Sequence, residues 1–190
     1  RELANNGNKA ATTEWTFDRL NQLAARITPT DEAPLFVPHL GGRVCPSQPR
    51  LRGAWANLNW DHNLGSLYRA ALEGVALEYA VYKSILAEMY PGLRLKEMRI
   101  TGGGEKSALW NTIKADALQV RVTQMTRSEG APMGAALVAG YGAGLFSSLP
   151  KTADQWVMKG KSFAPDRKSA KYYAKRLEHY RRLLTALNEL

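Results

Sequence analysis

The chain has 190 residues, of which 45% are hydrophobic, and a net charge of +9 from 26 basic and 17 acidic residues. This length and composition favour one packed domain or one large lobe, and they argue against an intrinsically disordered protein. No apolar run approaches the ~20 residues that a membrane-spanning helix needs, and the polar residues at the start predict no signal peptide.

The first half of the chain alternates helical and extended patterns. The predicted elements are a helix over 8–27, a strand at 35–37, a strand over 53–58 and a helix over 62–90. The loop of residues 38–52 contains glycines, prolines and arginines, and such loops carry function more often than stability. Asp61 is expected to cap the long helix, while Glu73 and Glu78 on that helix are expected to face solvent.

The second half continues the alternation. Its predicted elements are a strand ending at Ile100, a helix beginning after Ser107, a strand over 120–124, a helix over 133–144 and a helix over 168–188. Residues 145–166 are expected to be irregular, and the basic residues of the last helix are expected to form a solvated face. Alternating strands and helices predict an α/β fold with a sheet flanked by helices, completed by residues that precede Arg1.

The turn at Gly102, Gly103 and Gly104 joins the predicted strand to the following helix. Glycines let the backbone approach a ligand closely, and the first N–H groups of a helix suit an anion or a polar nucleotide. Ser107 is expected to cap this helix. The turn matches neither a P-loop nor GxGxxG, so a close strand–helix packing turn without a ligand is an equal alternative.

Residues for catalysis by this chain alone are not evident. His39, His62 and His179 lack metal-ligand spacing, no GxSxG elbow is present, and no side chain stands out as a general base. The single cysteine, Cys45, excludes an internal disulfide, fits a reducing cytoplasm and is expected to be an unreactive thiol. If the chain belongs to an enzyme, part of the machinery lies elsewhere. The basic charge leaves a nucleic-acid-binding domain as a remote alternative, although no recognised module is present.

Stretches in a fixed order carry more specific motifs. They read GNKAATTEW, LFVPHLGGRVCP, GAWANLNWDHNLGSLYRAALEGVA, RITGGGEKSALWNTIKADALQVRV and SEGAPMGAALVAG. The second stretch is similar to the motif LFxPYLxGERxP. The third is similar to a motif in which a strand, GxFxGL, leads into a helix with LxRAxLEG. The fourth is similar to an adenosine-binding segment. Together they resemble the C-terminal domain of the FGGY family of carbohydrate kinases over nearly the whole chain.

The resemblance implies a two-lobed fold of the actin, hexokinase and heat-shock-chaperone type, in which each lobe has a ribonuclease-H-like core with a mixed sheet. Residues 1–190 would be the nucleotide-side lobe of a cytoplasmic kinase, and a homodimer is compatible with it. Such kinases use ATP and Mg²⁺ to phosphorylate a sugar, here D-xylulose or a related ketose or polyol. The general-base Asp and most sugar contacts belong to the first lobe, so this chain would contain no catalytic residue and would be inactive alone. A non-catalytic nucleotide-binding or regulatory lobe of the same fold is the second hypothesis, and neither membrane nor nucleic acid is an expected partner.

Residue roles follow from the resemblance at matching positions. The nucleotide-binding residues that it implies are Gly102, Gly103, Gly104, Ser107, Ala10 and Glu14. Ala10 would leave room for a flat ring, and Glu14 would accept from a base or ribose donor, although a solvent-facing Glu14 is the alternative. The chain departs from the family at Arg43, where the family has an acidic residue, at Asn57, where it has glycine, and at Pro132, where alanine is frequent. The first two changes leave the identity of the sugar substrate undetermined, and to a lesser extent they also leave the catalytic activity undetermined.

Overall fold

The computed structural model of the protein describes residues 16–126 and 130–190. The helices are α1 (Phe17–Ala25), α2 (Leu64–Met89), α3 (Ala108–Leu118), α4 (Gly130–Gly142), α5 (Leu149–Trp156) and α6 (Ala170–Glu189). The strands are β1 (Leu35–Val37), β2 (Ala54–Ala56), β3 (Glu97–Ile100), β4 (Arg121–Met125) and β5 (Lys159–Phe163). Short 3₁₀ turns occupy Gly103–Lys106 and Arg167–Ser169.

The strands form two small sheets. β1 and β2 pair antiparallel, with Phe36 opposite Trp55. β3 and β4 pair parallel, as a strand–helix–strand unit with α3 as its crossover requires, and β5 adds antiparallel to β4. The second sheet is therefore mixed, in the order β3-β4-β5, and the predicted α/β class is confirmed.

Glu97 fastens the three strands of the mixed sheet to one another. Its Oε1 accepts from Thr123 Oγ1 of β4 at 2.7 Å, and its Oε2 lies 2.8 Å from Lys159 Nζ of β5. Hydrogen bonds from Lys159, Thr123 and Arg99 lower the pKa of Glu97 to about 2. The carboxylate therefore stays ionised and keeps these bonds throughout the physiological pH range.

Helix α2 lies at the centre of the described chain and packs against α1, α3, α6 and β1. Ala76 and Leu77 in the middle of this helix are buried, whereas Met89 at its C-terminal end is 62% exposed. A helix surrounded on several sides has no single stripe. Gly74 lies directly under β1, since a Cβ there would collide with the carbonyl oxygen of Phe36.

The carboxylates of α2 do not face solvent, contrary to the sequence-based prediction. Glu73 is 1% and Glu78 5% exposed. Arg69 Nε donates to Glu73 Oε1 at 2.9 Å, and Arg176 Nη2 of α6 lies 3.4 Å from Glu73 Oε2. Arg176 was predicted to lie on a solvated face, but it is only 2% exposed and pairs with Glu73 inside the protein. Charges that pair inside the protein lose less free energy on burial than unpaired charges do.

The region predicted to be irregular, residues 145–166, contains α5 and β5, so that prediction was wrong. Strand β5 consists of lysines, glycine and serine before Phe163, and it therefore has no apolar alternation to mark it. The final helix matches its prediction, with Tyr173, Tyr180 and Leu184 buried. Within residues 16–126 and 130–190, no helix combines the length and apolarity that crossing a membrane requires.

The N-cap of α2 is Asn63 rather than the predicted Asp61. The Asn63 side chain accepts from Ser66 N at 3.2 Å, and Ser66 Oγ accepts from Asn63 N at 3.4 Å, which completes a capping box. We expect Asn63→Ala to lower the free energy of unfolding by about 1 kcal/mol, measured by urea denaturation. The matched change Asp61→Ala should have an effect within about 0.5 kcal/mol. A larger loss in Asp61→Ala than in Asn63→Ala would contradict this assignment.

Candidate functional site

The glycine turn follows β3 as predicted. Ile100 at the end of the strand is buried, and the backbone then turns at Gly102, whose φ is +87°. A residue with a Cβ is strained at such a φ, so glycine is required there. A 3₁₀ turn, Gly103–Lys106, separates this point from α3, so the strand and helix are joined by a longer connection than a tight turn alone.

Ser107 caps α3, as predicted. Its Oγ accepts from Trp110 N at 3.2 Å. The same hydroxyl donates to Asn21 Oδ1 at 2.9 Å, which ties the start of α3 to α1, 86 positions earlier in the chain. The link to α1 is a contact that the local motif does not reveal.

A cavity of about 530 Å³ lies between α1, the N-terminal third of α2 and the glycine turn. Its lining residues are Phe17, Asp18, Asn21, Tyr68, Leu72, Gly103, Gly104, Lys106, Ser107 and Trp110. The cavity thus brings together three of the predicted nucleotide-binding residues, whereas Gly102 supports the turn without lining it. Ala10 and Glu14 lie outside the described residues.

The glycines of the turn differ in what surrounds them. A Cβ at Gly103 would meet no atom within 4 Å, so the space beside this cavity-lining residue is open. A Cβ at Gly104 would lie 2.5 Å from Cζ3 of the Trp110 indole, so this residue packs against the ring. Gly103 therefore leaves room for a ligand, and Gly104 leaves room for the Trp110 ring, which forms the cavity wall.

The Trp110 indole, which forms one wall of the cavity, is held in place by contacts on the side away from the cavity. Its Nε1 donates to the carbonyl oxygen of Leu72 at 2.9 Å. Lys114 Nζ lies 3.8 Å from the centre of the indole ring and donates to Asn111 Oδ1 at 3.3 Å. Asn111 Nδ2 in turn donates to the carbonyl oxygen of Glu105 in the glycine turn at 2.7 Å. These buried contacts join the wall and the turn into one rigid unit.

Lys114 makes a testable contribution to the pH dependence of stability. Burial lowers the pKa of Lys114 to about 8, whereas an unfolded lysine titrates near ~10.4. Between these values the unfolded state binds more protons, so the contribution of Lys114 to stability rises with pH. Below its folded-state pKa the lysine is charged, and burial of that charge destabilises the folded state.

We therefore expect the difference in unfolding free energy between the wild type and Lys114→Met to be constant below pH ~8 and to increase in favour of the wild type up to pH ~10. Urea denaturation at a series of pH values measures it, and tyrosine titration cancels in the difference. A difference that does not change with pH would contradict a lowered pKa for this group.

Several cavity residues were not indicated by the motifs. Phe17, at the start of α1, is 78% exposed and lines the cavity. Asp18 and Asn21 are one helical turn apart and therefore share a side of α1. The same spacing relates Ser107 to Trp110, so helical periodicity counted from Ser107 could have indicated the indole.

Arg43 and Asn57, at which the chain departs from the FGGY motifs, each have a structural role. Arg43 is buried, its Nε donates to Glu78 Oε1 at 2.8 Å and its Nη1 to Gln48 Oε1 at 3.1 Å, so it anchors the 38–52 loop to α2. Asn57 has a φ of +61°, in the region where asparagine is tolerated best after glycine. Asn57 therefore preserves a backbone turn that suits the glycine of the motif.

Metal-ligand geometry is absent from the described part of the chain. No group of three or more His, Cys, Asp or Glu side chains in residues 16–126 and 130–190 could hold a metal ion. His39 Nε2 lies 3.3 Å from Glu78 Oε2, and His62 Nδ1 accepts from Asn59 N at 3.0 Å. Cys45 is free and exposed.

Comparison with known proteins matches the chain to one family profile and to relatives that are named as kinases. The profile described as the C-terminal domain of the FGGY family of carbohydrate kinases matches residues 1–143. Xylulose kinase of Staphylococcus epidermidis is 28% identical over 159 residues, which are 83% of this chain and 32% of the relative. Glycerol kinase of Citrifermentans bemidjiense is 35% identical over 139 residues, 72% of this chain and 28% of the relative.

The solved structures agree with the sequence comparisons. Xylulose kinase from Rhodospirillum rubrum superimposes with a TM-score of 0.76 and 27% identity, covering 90% of this chain and 34% of that chain. The likeness confirms the expected ribonuclease-H-like α/β architecture with a mixed sheet between helices. The chain spans about a third of the length of these relatives.

Proposed function

The chain belongs to the FGGY family of carbohydrate kinases, and from this membership we propose that residues 1–190 form the nucleotide-side lobe of a two-lobed kinase. This kinase transfers the γ-phosphoryl group of ATP to a hydroxyl group of a sugar or polyol. The other lobe, on the N-terminal side, supplies the general-base Asp and most sugar contacts. Catalysis of this kind depends on alignment and charge neutralisation more than on covalent help from the protein.

The observation that carries the proposal is the cavity beside the glycine turn. It has about 530 Å³ of space, aromatic and aliphatic walls, and an open approach at Gly103. These are properties of a small-molecule site, in which apolar walls take a flat ring and a few polar groups orient it. A strand–helix packing turn without a ligand needs no open space of this kind.

The residues proposed to hold the nucleotide follow from this geometry and the family motif. Gly102 fixes the turn, Gly103 leaves room for the ligand, and Gly104 and Ser107 set the wall and the start of α3. Ala10 and Glu14 are proposed on the motif alone. ATP supplies the phosphoryl group when bound. Mg²⁺ is proposed from family membership alone. The described residues contain no set of three His, Cys, Asp or Glu side chains that could hold it.

The substrate is proposed to be D-xylulose or a related ketose or polyol. Support comes from relatives that include a xylulose kinase and a glycerol kinase. The test is a panel of ketoses, polyols and sugar acids with the full-length protein, using ADP release as the readout. A preference for D-xylulose supports the finer assignment to that ketose, and a preference for glycerol or another polyol supports only the broader assignment. A preference for gluconate, a sugar acid, contradicts both without affecting the kinase proposal.

ATP binding and turnover test the proposal at the level of the lobe. We expect ATP to bind the full-length protein in calorimetric titration, and sugar-dependent ADP release to require both lobes. The 190-residue chain alone is expected to show no sugar phosphorylation. Turnover by this chain alone would contradict the assignment of the base to the other lobe.

A non-catalytic nucleotide-binding lobe is the second candidate. It is favoured by Arg43, which replaces the acidic residue of the family loop and is engaged in an internal ion pair with Glu78. This candidate predicts that ATP binds the full-length protein but that no sugar in the panel stimulates ADP release. Sugar-dependent ADP release would exclude it.

A further inference from the structure

Helix α1 presents two polar side chains of different chemistry to the cavity. Asp18 and Asn21 both line it, and their spacing of three residues places them on the same side of the helix. A carboxylate offers acceptors only, whereas an amide side chain offers an acceptor and two donors. The pair can therefore present opposite hydrogen-bonding characters to one ligand.

The hydrogen bond from Ser107 fixes which end of the Asn21 amide is available. Ser107 Oγ donates its proton to Asn21 Oδ1 at 2.9 Å and accepts from Trp110 N at 3.2 Å. The Ser107 proton is thus already used inside the protein. The Oδ1 of Asn21 is engaged as well, so the amide nitrogen, Nδ2, is the group that Asn21 has left to donate to a ligand in the cavity.

The surroundings of the pair suit a base more than a phosphate. Phe17, Tyr68 and Trp110 contribute aromatic surface to the same cavity, which favours contact with a planar ring. The carboxylate of Asp18 would repel a phosphate group placed beside it. The cavity near α1 is therefore a site for the ring end of a nucleotide.

Resting on the proposed function, we propose that Asn21 and Asp18 read the edge of the purine base and select adenine over guanine. Asn21 Nδ2 donates to a ring nitrogen, and Asp18 accepts from the neighbouring 6-amino group. Guanine carries a 6-oxo acceptor where adenine carries the amino donor. With guanine, the Asp18 carboxylate would face the 6-oxo oxygen, and neither group has a proton to donate to the other. The loss of this hydrogen bond would lower the affinity for guanine, as it does in other sites that select ligands by hydrogen bonding.

The test measures the affinities of ATP and GTP for the full-length protein by calorimetry. The wild type is expected to prefer ATP by about tenfold or more. Asp18→Asn replaces an acceptor by a group that can also donate, so it should reduce the ATP-to-GTP preference about tenfold. Asn21→Asp keeps an acceptor for Ser107 but removes the donor, and it should weaken ATP binding by about tenfold to a hundredfold.

The control is Asp154→Asn, which removes the same charge from an exposed position on α5 outside the cavity and should leave both affinities unchanged. Asp18 is exposed, so its substitution is compatible with folding, which circular dichroism and urea denaturation check. A wild type that binds neither nucleotide contradicts the proposed function itself. ATP binding with equal affinity for GTP, or with no change in either variant, overturns the role of this pair and leaves the proposed function standing.

Discussion

Replacement of Glu78 by alanine is expected to lower the free energy of unfolding by about 3–5 kcal/mol. Glu78 is 5% exposed, and its carboxylate accepts from Arg43 Nε at 2.8 Å and from Tyr180 OH at 3.0 Å. Burial raises the pKa of Tyr180, and the charge of Glu78 adds to the effect, so the phenol keeps its proton and remains a donor. Without Glu78, the Arg43 charge stays buried with no counter-charge.

Urea denaturation measures this effect, and two further variants show its origin. Glu88→Ala removes an exposed carboxylate from the same helix and should change the unfolding free energy by about 0.5 kcal/mol or less. The double variant Arg43→Met with Glu78→Leu removes both charges and should recover most of the loss, because apolar replacements of a whole buried pair are often neutral. A double variant that is less stable than Glu78→Ala would show that the ion pair is not the cause.

The second large effect is expected for Gly103→Val in the full-length protein. The backbone of Gly103 borders the cavity with open space where a Cβ would lie, so a branched side chain would fill the approach proposed for ATP. Steric overlap between the added methyl groups and the ligand should cost about 1–3 kcal/mol, so ATP affinity should fall by about tenfold to a hundredfold. Calorimetric titration with ATP measures the change.

Gly142→Val is the matched control, because a Cβ there also meets no atom within 4 Å and the residue lies at the end of α4, outside the cavity. It should leave ATP affinity unchanged. Since Gly103→Val adds a side chain in open space, its unfolding free energy should remain close to that of the wild type. Equal ATP affinities for Gly103→Val and the wild type would remove this turn from the nucleotide site.

Local patterns predicted the elements whose residues differ from their neighbours in hydropathy or turn chemistry. The strand at Leu35–Val37, the glycine turn and the cap at Ser107 were all correct. α5 was missed because it has only 8 residues and Pro150 near its start resembles a loop signal, although Leu149, Ala153 and Trp156 recur at helical spacing. β5 was missed because its lysines, glycine and serine show no apolar alternation. The bounds of α2 were close, but its cap was not, because Asp61 and Asn63 are both good capping residues.

The site was predictable to the extent that it consists of consecutive residues. Gly103, Gly104 and Ser107 lie in one motif, and the structure places them on one cavity. Asn21 joins them through a hydrogen bond across 86 positions, and Glu78 pairs with Arg43 across 35. Periodicity gives the face of a helix but not its partner, so neither contact could be inferred from the sequence.

The apolar character of α4 has a consequence for the behaviour of the chain in solution. No residue from Gly130 to Gly142 is charged, and Val138 and Tyr141 are 64% and 50% exposed. Mutual repulsion from the net charge of +9 keeps copies apart at low ionic strength. Added salt screens this repulsion, so that copies of the chain can associate through the exposed apolar surface of α4. The colloidal stability of the 190-residue chain should therefore be governed by ionic strength, so the protein should be handled in dilute buffer.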